Sequence, residues 1–261
     1  MSTFETSYLA TAADIIADGD TRTGRNGATK SLPAQTLTFD LREGLPLLTT
    51  RKSYYRGVFG EYAALIRGPK HVDDFKRWGC NFWGKWAKAD GSLDLDYGNA
   101  WTDFHGVNQM ETVLDLLRTN YADRRMVITG WDPSRLAEVD LPCCHYSYQF
   151  WSDGVHLDLI WTQRSGDWMI GVPADALLAS AMVCQFASLA GMTPRRVTMV
   201  VGDAHVYSEH VPTALIQMGR EPLPLPSFTF SKQSDLKGFT PDDFCVANYW
   251  HHAPLAYELK E

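Results

Sequence analysis

Residues 174–190 (ADALLASAMVCQFASLA) carry a single charge, on Asp175, and run directly into Gly191. A helix that is apolar on all sides cannot rest on a surface and has to be enclosed by other elements. The segment therefore reads as a buried helix that ends at Gly191, where glycine accepts the left-handed C-cap conformation. Alternation marks residues 36–41 (TLTFDL) as a strand. Residues 54–67 carry apolar side chains at near-helical spacing and stop before Gly68-Pro69, a helix terminator. Residues 91–98 are rich in turn formers, 111–118 form a short amphipathic helix, and 125–131 read as a strand. Residues 146–151 and 155–161 are strands joined by the hairpin signal Ser152-Asp153-Gly154, and 197–201 is a further strand. Strands and helices do not alternate in a βαβ rhythm, which favours an α+β fold over a doubly wound one. No repeat, linker or composition break interrupts the chain, so residues 1–261 are expected to form one domain.

Composition sets limits on function. The net charge of −7 argues against general nucleic-acid or membrane binding, which needs a basic face. It leaves room for an anionic small molecule gripped by a few converging arginines. Five cysteines, an odd number, in a long chain do not suggest a disulfide scaffold. The contiguous Cys143-Cys144-His145 lacks the partner pair of a zinc site, so no metal is expected. Residues 1–13 lack a basic region followed by an apolar run, and no stretch looks long and apolar enough to span a membrane. The expected location is the cytoplasm, or the host cytoplasm if the source is a virus.

Several residues could carry chemistry. Cys144 follows Pro142 in LPCCH at the mouth of a strand. It is either a small core residue or, near Arg124, Arg125 and Arg164, a thiol readily ionised to a nucleophile. His145 is no dyad partner for it, because neighbours on a strand point to opposite faces. Gln163-Arg164-Ser165-Gly166-Asp167 offers a guanidinium and a hydroxyl for a phosphate or carboxylate, or forms a surface ion pair. In Gly202-Asp203-Ala204-His205-Val206-Tyr207, the histidine and tyrosine share one face of a strand. They either meet one ligand hydroxyl or are satisfied, half-buried aromatics. Glu61, in the apolar context VFGEYAALI, is either a solvated helix position or a buried acid with a raised pKa suited to proton transfer.

Taken in order, these segments resemble the thymidylate synthase superfamily from about residue 21 to 256. The landmarks are Arg22-Thr23-Gly24, GLPLLTTRK at 44–52, Glu61, Trp83 to Trp86 and Asp96-Tyr97-Gly98. They continue with Arg124-Arg125, Pro142 to His145, QRSGD at 163–167, Gly171-Val172-Pro173 and GDAHVY at 202–207. The resemblance implies a thymidylate synthase-like fold with a large, bent, mostly antiparallel or mixed sheet that forms a homodimer interface. It implies 5,10-methylenetetrahydrofolate as the one-carbon donor and a pyrimidine nucleoside monophosphate as substrate, with no need of nucleic acid or membrane. It also implies roles. Cys144 would be the nucleophile. Arg22, Arg164 and Ser165 would hold the phosphate, and Arg124 and Arg125 would reach the phosphate of the neighbouring subunit. Gln163 would contact the substrate, and His205 and Tyr207 the sugar 3′-hydroxyl. Asp167, Trp83 and Gly171 would face the folate, Glu61 would order water and shuttle protons, and Tyr97 would assist loss of the C5 proton.

One departure carries information. After Gly-x-Pro the synthases have Phe-Asn, and that asparagine reads the uracil edge; here the pair is Ala174-Asp175. A carboxyl accepts from cytosine N4 and, when it or N3 holds a proton, makes a second bond. An ionised acid facing uracil O4 would be repelled and left unpaired. In this the chain resembles most closely the deoxycytidylate 5-hydroxymethylases. The expected reaction is one-carbon transfer to C5 of dCMP through a Cys144–C6 adduct, giving 5-hydroxymethyl-dCMP and tetrahydrofolate. The alternatives are methylation of dCMP with release of dihydrofolate, or thymidylate synthesis from dUMP. Trp83 and Leu141 stand where the synthases keep the transferred carbon dry, which leaves methylation open. The charged tail at 256–261 suggests a looser lid that admits water. A ribonucleotide substrate, a catalytically dead nucleotide- or RNA-binding relative and a cysteine hydrolase are weaker readings.

Overall fold

The computed structural model describes residues 3–260. Its elements run α1 (Thr3–Asp18), β1 (Asp20–Gly24), β2 (Gly27–Asp40), α2 (Tyr55–Leu65), α3 (Val72–Lys76), α4 (Gly98–Thr102) and α5 (Gln109–Thr119). There follow β3 (Val127–Thr129), β4 (His145–Ser152), β5 (His156–Asp167), α6 (Gly171–Ala190), β6 (Thr193–Tyr207), α7 (Val211–Met218), β7 (Ser227–Phe230) and β8 (Phe244–Ala247). Strands β1 to β6 make one sheet in the order β1-β2-β6-β5-β4-β3, while β7 and β8 pair separately. Every neighbouring pair in the large sheet is antiparallel except β5 and β6, which run parallel. A parallel pair needs a crossover, and α6 supplies it. The fold is therefore α+β with a large mixed, mainly antiparallel sheet, as expected.

Helix α6 is the centre of the core. It packs against β5 and β6 and against α2 and α5, and it ends at Gly191, whose φ of 72° is the left-handed conformation expected of a C-cap glycine. The helix starts at Gly171 rather than 174, with Pro173 tolerated in the first turn. The extra turn corrects one expectation: by length and composition α6 is long and apolar enough to cross a membrane. Its surroundings decide otherwise, since 83% of its apolar window is buried inside the protein.

Strand periodicity carries the core to the site. On β5, Leu157, Leu159, Trp161 and Gln163 are all buried, so they share one face. Gln163 is the last and only polar member of that row, and it lies beside the first turns of α6. On β6, Val197, Met199 and Val201 are buried, then the phase shifts at Gly202 so that Ala204 and Val206 continue the core. His205 and Tyr207 alternate with them on the other face. Helix α1 was not anticipated, although its buried residues Phe4, Tyr8, Ala12 and Ile15 are spaced as one helical stripe.

Candidate active site

A cavity of about 580 Å³ opens where the ends of β4, β5 and β6 converge on the start of α6. Cys144 and Asp175 both line it. Cys144 immediately precedes β4 and is half-buried. Its Sγ lies 3.8 Å from Arg164 Nη2 and 4.0 Å from Ser165 Oγ. Its backbone N–H donates to the Tyr97 hydroxyl at 3.0 Å. Tyr97 is held in turn by the close approach of its neighbour to α2: a Cβ on Gly98 would stand 1.8 Å from the Leu65 carbonyl oxygen. Arg164 donates to the Cys143 and Pro142 carbonyls, both at 2.9 Å, and so fixes the loop that bears the thiol. The surface Arg–Asp pair entertained for this segment does not form. Cys143 is buried, and burial pushes its thiol up to about 12, so it is no rival to Cys144. All five cysteines are free.

Three acids gather behind the thiol. Gln163 Nε2 donates to Asp175 Oδ2 at 2.6 Å. Burial pushes the Asp175 carboxyl up to about 7, with the Gln163 bond opposing the shift. Glu61, only 7% exposed, accepts from Trp83 Nε1 at 2.8 Å and is no solvated helix position. Burial and, secondarily, the charge of Asp175 raise its pKa to about 8. Burial also raises Asp167, offset in part by His205, His210 and the backbone N–H groups of Met169 and Ile170. His145 adds a residue pair that the sequence did not suggest. Tyr148 donates its hydroxyl hydrogen to the His145 carbonyl at 2.8 Å, and the same oxygen lies 2.5 Å from His145 Nδ1. The other ring nitrogen, Nε2, lies 3.8 Å from Asp175 Oδ1. Burial lowers the His145 pKa to about 3, so the ring is neutral.

A stability prediction follows from the acids. A carboxyl whose folded pKa lies above its unfolded value keeps a proton in the folded state that the unfolded chain has released. Folding stability is then greatest below the unfolded value and is lost as pH rises through the folded one. For Glu61 that window runs from 4.5 to about 8. The melting temperature should therefore be lower at pH 9 than at pH 6. Glu61→Gln should shrink the difference; an undiminished difference would show that Glu61 does not carry the proton.

The remaining site residues separate into two groups. Tyr97, Trp83, Gln163, Arg164, Ser165, Asp167, Gly171, His205 and Tyr207 line the same cavity as Cys144, Glu61 and Asp175. Arg22, Arg124 and Arg125 do not. Arg22 Nη1 is held at 2.6 Å by Asp203, which also accepts from Ser31 at 2.6 Å. Arg25 and Asn26, on the adjacent turn, line the cavity instead. Arg124 and Arg125 lie on the surface before β3, with Arg125 paired to Asp123 at 2.5 Å. Arg51 and Lys52, from the GLPLLTTRK segment, also line the cavity and were not singled out from sequence.

The tail corrects another expectation. Tyr257, Leu259 and Lys260 line the cavity; Glu261 lies outside the described residues. The tail is tied down rather than loose. Tyr257 donates to Gln217 Oε1 at 2.8 Å, the Glu258 carbonyl lies 3.0 Å from His210 Nε2, and Lys85 donates to the Leu259 carbonyl at 3.1 Å. Lys260 pairs with Glu209. Of these contacts only Lys260–Glu209 uses a tail charge; the others use the Tyr257 hydroxyl and the Glu258 and Leu259 carbonyls.

The site can hold an anionic, ring-bearing molecule against a thiol. A thiol faces a pocket with buried acids, arginines beside it can meet a phosphate, and an apolar wall of Trp83, Trp86, Ile170 and Leu177 can receive a flat ring. Trp86 Nε1 and Gln163 Oε1 are buried without a partner among the described residues, as polar atoms awaiting a ligand would be. The family model for thymidylate synthase matches residues 6–260. Enzymes of this family use methylenetetrahydrofolate to transfer one carbon to a pyrimidine nucleotide and are usually dimeric. With nearly its whole length matched and the cavity built as that reaction requires, the chain belongs to the thymidylate synthase family.

Proposed function

We propose that this enzyme acts on dCMP, methylenetetrahydrofolate and water, and gives 5-hydroxymethyl-dCMP, whose hydroxyl comes from the water, and tetrahydrofolate. The observation that carries the base assignment is Asp175, an acid inside the cavity with one oxygen fixed as an acceptor by Gln163. Its carboxyl is raised to about 7, so near neutrality one proton is available to share with cytosine N3 while an oxygen accepts from N4.

Bound methylenetetrahydrofolate supplies the carbon. The chain supplies the rest. Cys144 attacks C6, which breaks ring conjugation and makes C5 a carbon nucleophile. Arg164 sets a positive charge 3.8 Å from the attacking sulfur. The proton shared by Asp175 offsets charge developing on the base. Tyr97, whose hydroxyl touches the Cys144 backbone, would assist loss of the C5 proton, and Glu61, at a pKa of about 8, would pass protons near neutrality. Arg164, Ser165 and Arg25 would grip the phosphate, with Arg124 and Arg125 of each subunit completing the site of its twin. His205 and Tyr207 would bind the 3′-hydroxyl. Asp167, Trp83 and Gly171 would face the folate.

The hydroxymethyl product rests on the likeness of Asp175 to the deoxycytidylate hydroxymethylases and on Ala174 in place of a bulky phenylalanine near the base. The anchored tail favours a second reading, 5-methyl-dCMP, because a closed site keeps water from the transferred carbon. Incubation with dCMP and methylenetetrahydrofolate separates the two. A hydroxymethylated product without dihydrofolate is expected. A methylated product with an equal amount of dihydrofolate would overturn the first reading in favour of the second.

A further inference from the structure

We infer that Glu5, which the reaction does not use, is a positioning residue that fixes the C-terminal tail over the cavity through Thr50 and Gln217. Glu5 lies on α1, is fully buried and does not line the cavity. Its carboxylate accepts the Thr49 N–H on both oxygens at 2.9 Å and the Thr50 N–H at 2.8 Å. It also accepts the Thr49 and Thr50 hydroxyls at 2.5 and 2.6 Å. A buried carboxylate is costly unless it is satisfied in this way, and so dense a set of donors leaves the turn at Thr49 and Thr50 a single position.

The direction of each bond is then determined. Having given its hydrogen to Glu5, the Thr50 hydroxyl can only accept, and it does so from Gln217 Nε2 at 3.0 Å. That turns the Gln217 Oε1 toward the tail, where it accepts the Tyr257 hydroxyl at 2.8 Å. Every donor from Tyr257 to Gln217 to Thr50 points toward Glu5, an arrangement in which each bond polarises the next. Two further contacts tie the same turn to the tail. Arg220 donates to the Thr50 and Ala253 carbonyls at 2.6 and 2.7 Å, and the Arg51 guanidinium lies 4.6 Å above the Tyr257 ring. Because Tyr257, Leu259 and Lys260 form part of the cavity wall, a tail set in place beforehand spares the ordering cost that folate binding would otherwise carry.

This inference rests on the folate-dependent reaction of the family and not on the choice of base. Hydrogen exchange of the ligand-free full chain tests it, with wild type compared to Glu5→Gln, Thr50→Val and Tyr257→Phe. Each variant is expected to speed amide exchange across residues 255–260 about 5- to 30-fold while exchange within α6 holds. The KM for methylenetetrahydrofolate should rise by a similar factor, and the nucleotide dissociation constant should stay within about twofold for Glu5→Gln and Thr50→Val. The double variant Glu5→Gln/Tyr257→Phe should exchange no faster than the larger single one, since one break already interrupts the chain. Unaltered tail exchange in Thr50→Val, or factors that multiply in the double variant, would overturn the inference. Should Glu5→Gln fail to fold, a Thr50→Val/Tyr257→Phe pair carries the same comparison. The ratio of dCMP to dUMP turnover should match wild type in Glu5→Gln and Thr50→Val, which keeps failure here distinct from failure of the base assignment.

Discussion

On the base assignment proposed above, replacing Asp175 with asparagine is expected to turn preference from dCMP to dUMP. Gln163 Nε2 holds one oxygen of the side chain at 2.6 Å as an acceptor. An amide in the same place keeps its carbonyl toward Gln163 and turns its NH₂ to the base. That group donates to uracil O4 but meets the N4 amine of cytosine donor to donor. One hydrogen bond is gained for one substrate and lost for the other, with an unpaired buried group in each mismatched case, at about 1–3 kcal/mol each. The two effects act in opposite directions, so the ratio of kcat/KM values should swing by roughly 30- to 3 × 10⁴-fold. Measuring kcat/KM for both nucleotides on both proteins checks this. An unchanged ratio would mean that residue 175 does not read the base.

Cys144→Ser should abolish turnover and spare nucleotide binding. A serine hydroxyl is far less ionised than a thiol at neutral pH and is a much weaker nucleophile toward C6. The fall in kcat should be at least ~10³-fold. Binding should persist, because Arg164 stays anchored by the Pro142 and Cys143 carbonyls when the sulfur is replaced, and Ser165, His205 and Tyr207 still line the cavity. Cys143 should not rescue the variant, since it is buried and its thiol is pushed up to about 12. Equilibrium binding of dCMP alongside single-turnover assays makes the comparison. Loss of binding together with turnover would assign Cys144 to the scaffold and remove it from the chemistry.

How much of this could be read from the chain depended on the range of the interactions involved. Strand alternation and the apolar run ending at Gly191 are local signals, and they marked β4 and α6 closely and the first half of β5, which runs on through the polar QRSGD segment to Asp167. The length of β6 was legible only in part, because the phase of burial shifts at Gly202 and breaks the alternation. Helix α1 carried a regular stripe, Phe4, Tyr8, Ala12 and Ile15, diluted by surrounding alanines and threonines. The ordered motifs brought Cys144, Glu61, Asp175 and the QRSGD segment to one cavity. Contacts between segments far apart in sequence were not legible. Arg22 is drawn to Asp203 across the sheet, and the tail is fastened by Gln217, His210 and Glu209. The charged tail read as loose because its partners come from elements that its own sequence does not announce.

The central claim is that a single buried acid selects cytosine. The most direct measurement supplies wild-type enzyme with equal concentrations of dCMP and dUMP in one reaction with methylenetetrahydrofolate and follows consumption of each by mass spectrometry near pH 7. The account predicts that dCMP is consumed at least ~5-fold faster, the discrimination expected from one satisfied against one unpaired buried group. Faster consumption of dUMP would contradict it, whatever one-carbon product is formed.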